Sequence, residues 1–226
     1  MASHPRPFPR FESTCRPACR WAFAAALALG ITGCRTKVPK VEGTYRDAFD
    51  RVELGPDWLD TSGEAKIQDG RLHVSHGYNH PIWLRRRLPD RAVIEFDAMS
   101  MSPEGDLKVE LYGDGQSFDP DKGRYDPTSY VFVFGGWSNR LSIIGRLGEH
   151  DEGVMVKRPD PPVTPGKMYH FTITRDGGTV DWKIDGSPFL AYQDPTPLAG
   201  EDHGFLGFTN WESNVFFDNV QIRALP

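Results

Sequence analysis

Hydrophobic and polar residues alternate with a period of two along most of the chain from residue 44 onward, and this pattern restricts the fold most. In one segment, apolar residues occupy every even position from Ala92 to Ala98, whereas Glu95 and Asp97 lie between them. Such alternation is typical of a β-strand with one buried face. No convincing amphipathic helix interrupts the pattern before the C-terminus.

Short turn motifs separate the alternating segments. Asp-Gly and Gly-Gly pairs supply the positive φ that tight hairpins need, and they occur at Asp69-Gly70, Asp176–Gly178 and Asp185-Gly186. The segment from Tyr130 to Phe134 is apolar at every position, which predicts a strand buried on both faces. Near Asp218-Asn219 the alternation changes phase, which predicts a β-bulge.

About twelve strands, with turn signals every 8–12 residues, predict an all-β fold, a large antiparallel sandwich or barrel. We predict one domain over residues 44–226. Long loops are expected at 113–128 and 148–167, which are rich in Gly, Pro and Asp. A domain of this size can bury one substantial core.

The N-terminal residues predict export. Four arginines and one acidic residue precede an apolar run of 11 residues from Trp21 to Ile31. The run is too short to span a bilayer, which takes about 20 apolar residues. A basic segment, a short apolar core and small residues before a boundary are typical of a secretory signal peptide. We therefore predict that residues 1–33 are a signal peptide.

The boundary itself, Ile31-Thr32-Gly33-Cys34, resembles the lipobox of bacterial lipoproteins. The resemblance implies cleavage before Cys34 and attachment of acyl chains such as palmitate to it, and two or three chains anchor firmly because each buried methylene contributes about 0.8 kcal/mol. Residues 34–43 would then be the lipidated cysteine and a polar tether. We expect a bacterial cell-envelope protein, at the outer membrane or cell surface. The alternative is an ordinary signal peptide followed by a chance cysteine.

Cysteine position and charge exclude several classes of function. All three cysteines, Cys15, Cys19 and Cys34, lie near the N-terminus, so the predicted domain has no disulfide and no cysteine-based metal site. Residues 34–226 carry a net charge near −8, which argues against a nucleic-acid partner. The chain has no P-loop, dinucleotide fingerprint or Ser-His-Asp signature, so we predict no cofactor.

Four segments of the predicted domain carry a family resemblance: DGRLHV (69–74), AVIEFDA (92–98), TRDGGTVDWKIDGSPF (174–189) and GFLGFTNWESNVFFDNVQI (204–222). They resemble the concanavalin A-like lectin and glucanase superfamily, including its laminin G-like and keto-disaccharide hydrolase-like members. The resemblance implies a two-sheet antiparallel jelly-roll sandwich, with any ligand on the concave sheet or its rim loops. The scaffold carries lectins, adhesion modules, lyases and hydrolases, so it implies no single activity. Many members of the superfamily bind one structural calcium ion between the first and last strands, and Asp50 and Asp218 are the candidate ligands for such an ion here.

One strand partly matches a glycosidase motif. Glycosidases need two carboxylates about 5–10 Å apart, and laminarinase-type members of the superfamily carry Glu-x-Asp-x-Glu on one strand. The nearest match here runs from Asp106 to Glu110, with Lys108 at the centre. A central lysine would hold both acids ionised, which does not suit a proton donor. We expect a solvated charged face, with cross-strand ion pairs from Lys108 to Glu95 and Asp97.

Two turns combine a tryptophan with amide and charged residues. Sugars present apolar C–H faces flanked by hydroxyls, so a binding site needs aromatic rings beside amide, carboxylate or guanidinium groups. The predicted carbohydrate-binding residues are Trp137, Asn139 and Arg140 in the first turn, and Asn210, Trp211, Glu212 and Asn214 in the second. We expect Trp83 or Tyr78 at the margin, and Trp58 and Trp182 in the core. Alternatively, all these tryptophans fill the ends of the sandwich.

The favoured function is an exported, membrane-anchored lipoprotein whose lectin-like domain binds a carbohydrate without catalysing a reaction. The first alternative is a carbohydrate-active lyase or hydrolase that uses Glu110 with Asp106 or Glu95. The second is an envelope scaffold or interaction lipoprotein without a small ligand.

Overall fold

The computed structural model describes residues 38–226 except Pro120 and Lys122. The predicted signal peptide, residues 1–33, and the predicted lipidation site, Cys34, lie outside these residues. Across the part that is described, no helix has both the length and the apolar character needed to cross a membrane.

The described residues form seventeen strands and two short helical segments. The strands are β1 (Thr44–Asp47), β2 (Trp58–Asp60), β3 (Lys66–Gln68), β4 (Arg71–Ser75), β5 (Ile82–Leu84), β6 (Ala92–Ser100), β7 (Leu107–Gly113), β8 (Phe118–Asp119), β9 (Arg124–Tyr125), β10 (Tyr130–Gly135), β11 (Leu141–Arg146), β12 (Val154–Arg158), β13 (Met168–Asp176), β14 (Thr179–Ile184), β15 (Ser187–Gln193), β16 (Phe205–Thr209) and β17 (Asn214–Ala224). The helical segments are Gly136–Asn139 and Asp151–Gly153.

Two large sheets contain nearly all of these strands. The eight-stranded sheet has the order β15-β14-β13-β6-β17-β4-β3, and β1 also pairs with β17. The seven-stranded sheet has the order β12-β11-β10-β7-β16-β5-β2, and β8 and β9 form a separate hairpin. Every pairing between these strands is antiparallel. The predicted fold class, an all-β two-sheet jelly-roll sandwich, is confirmed.

The alternation in the sequence corresponds to the two faces of each strand. In β6, every second residue from Ala92 to Ser100 is buried and the residues between them are partly exposed, because only one face contacts the other sheet. In β7 and β10 every residue is buried, so the seven-stranded sheet is covered on both faces there. This agrees with the prediction for Tyr130 to Phe134. The prediction that Asp106 to Glu110 presents a solvated charged face is wrong.

Aromatic side chains from both sheets meet in the core. Phe208 of β16 stacks on Phe217 of β17 with ring centroids 4.3 Å apart, and Phe132 of β10 meets Trp182 of β14 edge-on at 5.6 Å. Trp58 and Trp182 are 3% and 1% exposed, as expected for core residues. Burial of each such ring contributes about 1.5–3 kcal/mol, so these contacts hold the sheets together.

The β-bulge predicted near Asp218-Asn219 is confirmed, because the pairing of β17 with β6 shifts register between Asp218 and Gln221. The two predicted long loops contain regular structure that the sequence pattern did not indicate. The hairpin β8–β9 lies within 113–128, and a short helical segment and β12 lie within 148–167. The two-residue strands β8 and β9 are too short to show a period of two, and in β12 apolar and polar residues do not alternate.

Candidate functional site

A cavity of about 460 Å³ lies on the face of the seven-stranded sheet that is turned away from the other sheet, which we call the outer face. Lys108 of β7 and Val133 of β10 form its floor, and they are register neighbours in the sheet. Loops from distant parts of the sequence form the walls. The wall residues are Asn79, Glu104, Asp106, Gly136, Trp137, Ser138, Glu149, His150, Trp211, Glu212 and Ser213.

Both predicted tryptophan turns contribute to this one cavity. Trp137, Trp211 and Glu212 line it. Trp211 is 50% exposed, and the Tyr78 ring meets its edge at a centroid distance of 5.0 Å. Trp137 is partly buried and meets the ring of His150 edge-on at 5.6 Å. The two indoles are therefore rings at a cavity rather than core residues, which is the arrangement that the carbohydrate-binding hypothesis requires.

The turn that presents Trp137 has an uncommon backbone. Trp137, Ser138 and Asn139 have φ values of 51°, 60° and 60°, and such left-handed conformations are strained for residues other than glycine. The Asn139 side chain holds this turn in place. Its Nδ2 donates to the carbonyl oxygens of Val163 (2.7 Å) and Pro103 (3.0 Å), and its Oδ1 accepts from the Val163 amide at 2.7 Å. Asn139 therefore positions Trp137 and has no amide group left over for a ligand.

Arg140 also supports the first turn, because its Nε donates to the Trp137 carbonyl oxygen at 2.9 Å. Asn210 plays the equivalent part in the second turn. It is fully buried, its Oδ1 accepts from the Gly77 amide at 3.0 Å, and its Nδ2 donates to the Ser213 carbonyl oxygen. Neither Arg140 nor Asn210 lines the cavity. The amides and the guanidinium expected to contact a sugar instead fix the two turns.

The remaining predicted residues lie away from the cavity or at its edge. Asn214 has its Oδ1 2.7 Å from Nε2 of His73. Trp83 is 2% exposed, and its ring packs where Gly207 and Gly113 leave no room for a side chain. A ligand therefore cannot reach Trp83, and the expectation that it borders the site is corrected. Tyr78 is 42% exposed beside Trp211 and occupies the margin.

A buried ion pair forms the base of the cavity. Lys108 Nζ lies 2.7 Å from Oε2 of Glu149, and the two side chains are 4% and 7% exposed. Asn79 Oδ1 accepts a hydrogen bond from the same ammonium at 2.7 Å. Burial by itself would lower the pKa of Lys108, but the charges of Glu149, Asp106 and Glu110 outweigh burial and raise it. Lys108 therefore carries a positive charge at the cavity floor at neutral pH.

Asp106 connects this base to the second turn. Its Oδ2 accepts the backbone N–H of Trp211 at 2.6 Å, so the carboxylate that we considered as a glycosidase acid orients the tryptophan. Gly136, in the first turn, borders the same cavity. The Asp106 carboxylate, the Lys108 ammonium and both turns thus border one cavity.

Glu110 lies on the same outer face but outside the cavity. The segment containing the hairpin β8–β9 covers it: Tyr125 donates to Oε1 at 2.9 Å, and Ser117 and Ser129 donate to Oε2. Burial raises the pKa of Glu110, whereas these hydrogen bonds and the charge of Lys108 lower it. Burial is the larger effect, and the pKa of Glu110 is about 7. His80 stacks on Phe118 at 3.8 Å, which holds the hairpin down.

The carboxylates named in the enzyme hypothesis do not share one open site. Glu95 belongs to β6 in the eight-stranded sheet and accepts from Gln221 and Arg223. The expected ion pairs from Lys108 to Glu95 and Asp97 are therefore corrected, because the two strands belong to different sheets. Asp97 instead lies 2.7 Å from Nδ1 of His170.

The described part of the chain contains no group of three or more His, Cys, Asp or Glu side chains that could hold a metal ion. Asp218, one of the two residues considered for calcium, lies 3.8 Å from Nε of Arg71.

Sequence reasoning missed several cavity residues, chiefly Asn79, Glu149 and His150. Asn79 and Glu149 are 70 positions apart, and no local pattern connects them. One signal was available. A lysine in the middle of a strand that pairs with a wholly apolar strand is expected to be buried, and a buried lysine requires an anion as a partner. The sequence does not show which acid supplies it.

Comparison with protein families gives one match, in which residues 117–221 fit the model described as "Farnesoic acid 0-methyl transferase". That span is less than half of the chain. Comparison with curated proteins gives no match.

Several solved structures have a similar fold. A Bacillus subtilis protein of unknown function with a galectin-like fold has a TM-score of 0.61 at 19% identity, covering 79% of this chain and 94% of that one. The laminarinase of Flavobacterium sp. UMI-01 has a TM-score of 0.57 at 11% identity, covering 80% and 100%. The carbohydrate recognition domain of Emp47p has a TM-score of 0.56 at 11% identity, covering 80% and 95%.

The chain has the jelly-roll fold of these proteins. At such low identity the likeness concerns the fold alone, because one scaffold hosts many functions.

Proposed function

We propose that this chain is a lectin-like domain that binds a carbohydrate in the cavity on the outer face of the seven-stranded sheet. The observation that carries the proposal is that Trp137 and Trp211, from turns far apart in the sequence, line the same cavity above buried polar groups. The cavity volume of about 460 Å³ is within the range of small-ligand sites.

The chemistry of the cavity suits a sugar. Indole rings pack against the C–H face of a pyranose. Asn79, Ser138 and Ser213 supply amide and hydroxyl groups at the walls, and carboxylates supply acceptors for hydroxyl hydrogens. Fold relatives that include a carbohydrate recognition domain and a laminarinase support the proposal by analogy.

Replacing either tryptophan should abolish most of the binding. We expect Trp211→Ala and Trp137→Ala each to weaken glycan binding by about tenfold or more, because aromatic anchors dominate binding energies. Glycan-array screening of the soluble domain identifies the ligand, and isothermal titration calorimetry measures the affinities.

Leu59→Ala is the matched control, because Leu59 is an exposed apolar residue, 38% exposed, outside the cavity. It should leave binding unchanged. Circular dichroism must show that all three variants retain the fold. Full affinity in both tryptophan variants would refute the proposed site.

We further propose that the protein is exported and held at the cell envelope by acyl chains on Cys34. The proposal rests on the segment Ile31–Cys34 and the basic and apolar residues before it. In a bacterial host supplied with labelled palmitate, the full chain should carry label and sediment with membranes. Cys34→Ser should lose both properties, since the sulfur of Cys34 is the atom that would carry the diacylglycerol.

Cys19→Ser is the control for this experiment, because Cys19 lies within the predicted signal peptide. It should label like the wild type. Labelling that persists in Cys34→Ser would contradict the anchor.

A further inference from the structure

The cavity carries an excess of negative charge. Four carboxylates line it, from Glu104, Asp106, Glu149 and Glu212, against one ammonium, from Lys108. Lys108 is neutralised by Glu149 at 2.7 Å. Three carboxylates therefore remain uncompensated in the cavity when His150 is neutral.

Two of these carboxylates are available to a ligand. Glu104 and Glu212 are exposed at the cavity wall. Within the described residues, neither forms an ion pair or a side-chain hydrogen bond. Asp106 differs, because it accepts the Trp211 amide. Both carboxylates at the rim are therefore free to bind a ligand.

The aromatic rings favour the same charge. A cation near the face of an indole is attracted by the negative charge density of the ring. Trp137 and Trp211 both line the cavity beside the carboxylates. Carboxylates and indoles together attract an ammonium group and repel a carboxylate or sulfate on a ligand.

We propose, on the basis of the carbohydrate-binding function proposed above, that the cavity selects glycans bearing amino groups and discriminates against acidic glycans. The sugar ring packs against the indoles, and its ammonium group lies between Glu104 and Glu212. Uronic acids and sulfated sugars are excluded by the same charges.

Calorimetric titration of the soluble domain at about pH 6, where the amine is charged, tests this selectivity. The probes are glucosamine oligomers, N-acetylglucosamine oligomers, galacturonate oligomers of equal length, and the diamine cadaverine. We expect glucosamine oligomers to bind at least about fivefold more tightly than their N-acetylated counterparts, with no binding of galacturonate. The preference should decrease as salt is raised.

The variant Glu104→Gln/Glu212→Gln removes charge with little change of shape. It should reduce the preference for the amine to less than about twofold while leaving the affinity for the N-acetylated oligomers unchanged. Glu201→Gln/Asp202→Asn is the matched control, because it makes the same change in net charge at exposed residues outside the cavity. That control should retain the full preference.

The outcomes separate the two proposals. Equal affinity for charged and N-acetylated oligomers would overturn the selectivity and leave the carbohydrate function standing. Tight binding of galacturonate would do the same. Binding of cadaverine as strong as that of the glucosamine oligomers would show an amine site without sugar recognition and would overturn the inference. Failure of every glycan, on an array as well as in these titrations, would overturn both proposals.

Discussion

Lys108→Met is expected to lower the free energy of unfolding by about 3–5 kcal/mol. The substitution removes the ammonium that lies 2.7 Å from Glu149, whose side chain is 7% exposed. The carboxylate would then stay buried without its counter-ion, because the walls of the cavity prevent full solvation. Asn79 Nδ2, at 3.4 Å, cannot replace a full charge. Urea denaturation followed by circular dichroism measures the loss.

The double variant Lys108→Met/Glu149→Gln distinguishes loss of the ion pair from loss of packing. Replacing a whole buried ion pair by neutral groups of similar volume is often close to neutral, so the double variant should recover most of the stability lost by the single one. If the double variant is as unstable as Lys108→Met alone, the pairing with Glu149 is not the cause of the loss.

Glu110→Gln is expected to flatten the dependence of stability on pH. In the folded protein burial raises the pKa of Glu110 to about 7 from an ordinary value of 4.5. Between these values the unfolded chain releases the proton and the folded chain retains it. Stability from this group is therefore complete below pH 4.5 and is lost as the pH rises through about 7. The loss amounts to about 3 kcal/mol in the wild type.

Glutamine cannot ionise, so the variant should not suffer this loss. The difference in unfolding free energy between Glu110→Gln and the wild type should increase in favour of the variant by about 3 kcal/mol from pH 4.5 to pH 8. Urea denaturation at a series of pH values measures it.

Ser129→Ala is the contrasting variant, because it retains the carboxyl group and removes one hydroxyl that donates to Glu110 at 2.7 Å. It should keep the decrease of stability with pH. A wild-type profile that runs parallel to that of Glu110→Gln across this range would refute the assignment.

The fold could be predicted to a large extent because its determinants are local. The alternation in β6, the turn at Asp69-Gly70 and the phase change near Asp218 each depend on residues a few positions apart, and each corresponds to the structure. The uniformly apolar segment from Tyr130 to Phe134 likewise indicated a strand covered on both faces. Short strands such as β8 and β9 were not predicted, because two residues are too few to show alternation.

The candidate site could be predicted only in part. The composition of the two turns correctly drew attention to Trp137 and Trp211, since a tryptophan flanked by polar residues in a turn is less typical of a core than of a binding site. It did not distinguish side chains that would face a ligand from those that hold the turns, as Asn139 and Asn210 do. An amide has the same chemistry in either role, and only the position of the backbone around it decides which role it plays.

Lys108 shows most clearly how far the sequence can predict the site. Its place on the outer face of β7 follows from the two-residue repeat of a strand, which is a property of backbone geometry and needs no tertiary information. Whether that face is wet or buried depends on the segment containing β8–β9 and on the loop carrying Glu149, and both cross the sheet from other parts of the chain. The sequence by itself therefore determined the longer strands, the core-facing side of each and the two-sheet class, because side-chain alternation and turn residues are local properties of the chain. Only the tertiary structure decided that two tryptophans, a buried ion pair and uncompensated carboxylates share one cavity, because that requires loops distant in sequence to meet in space.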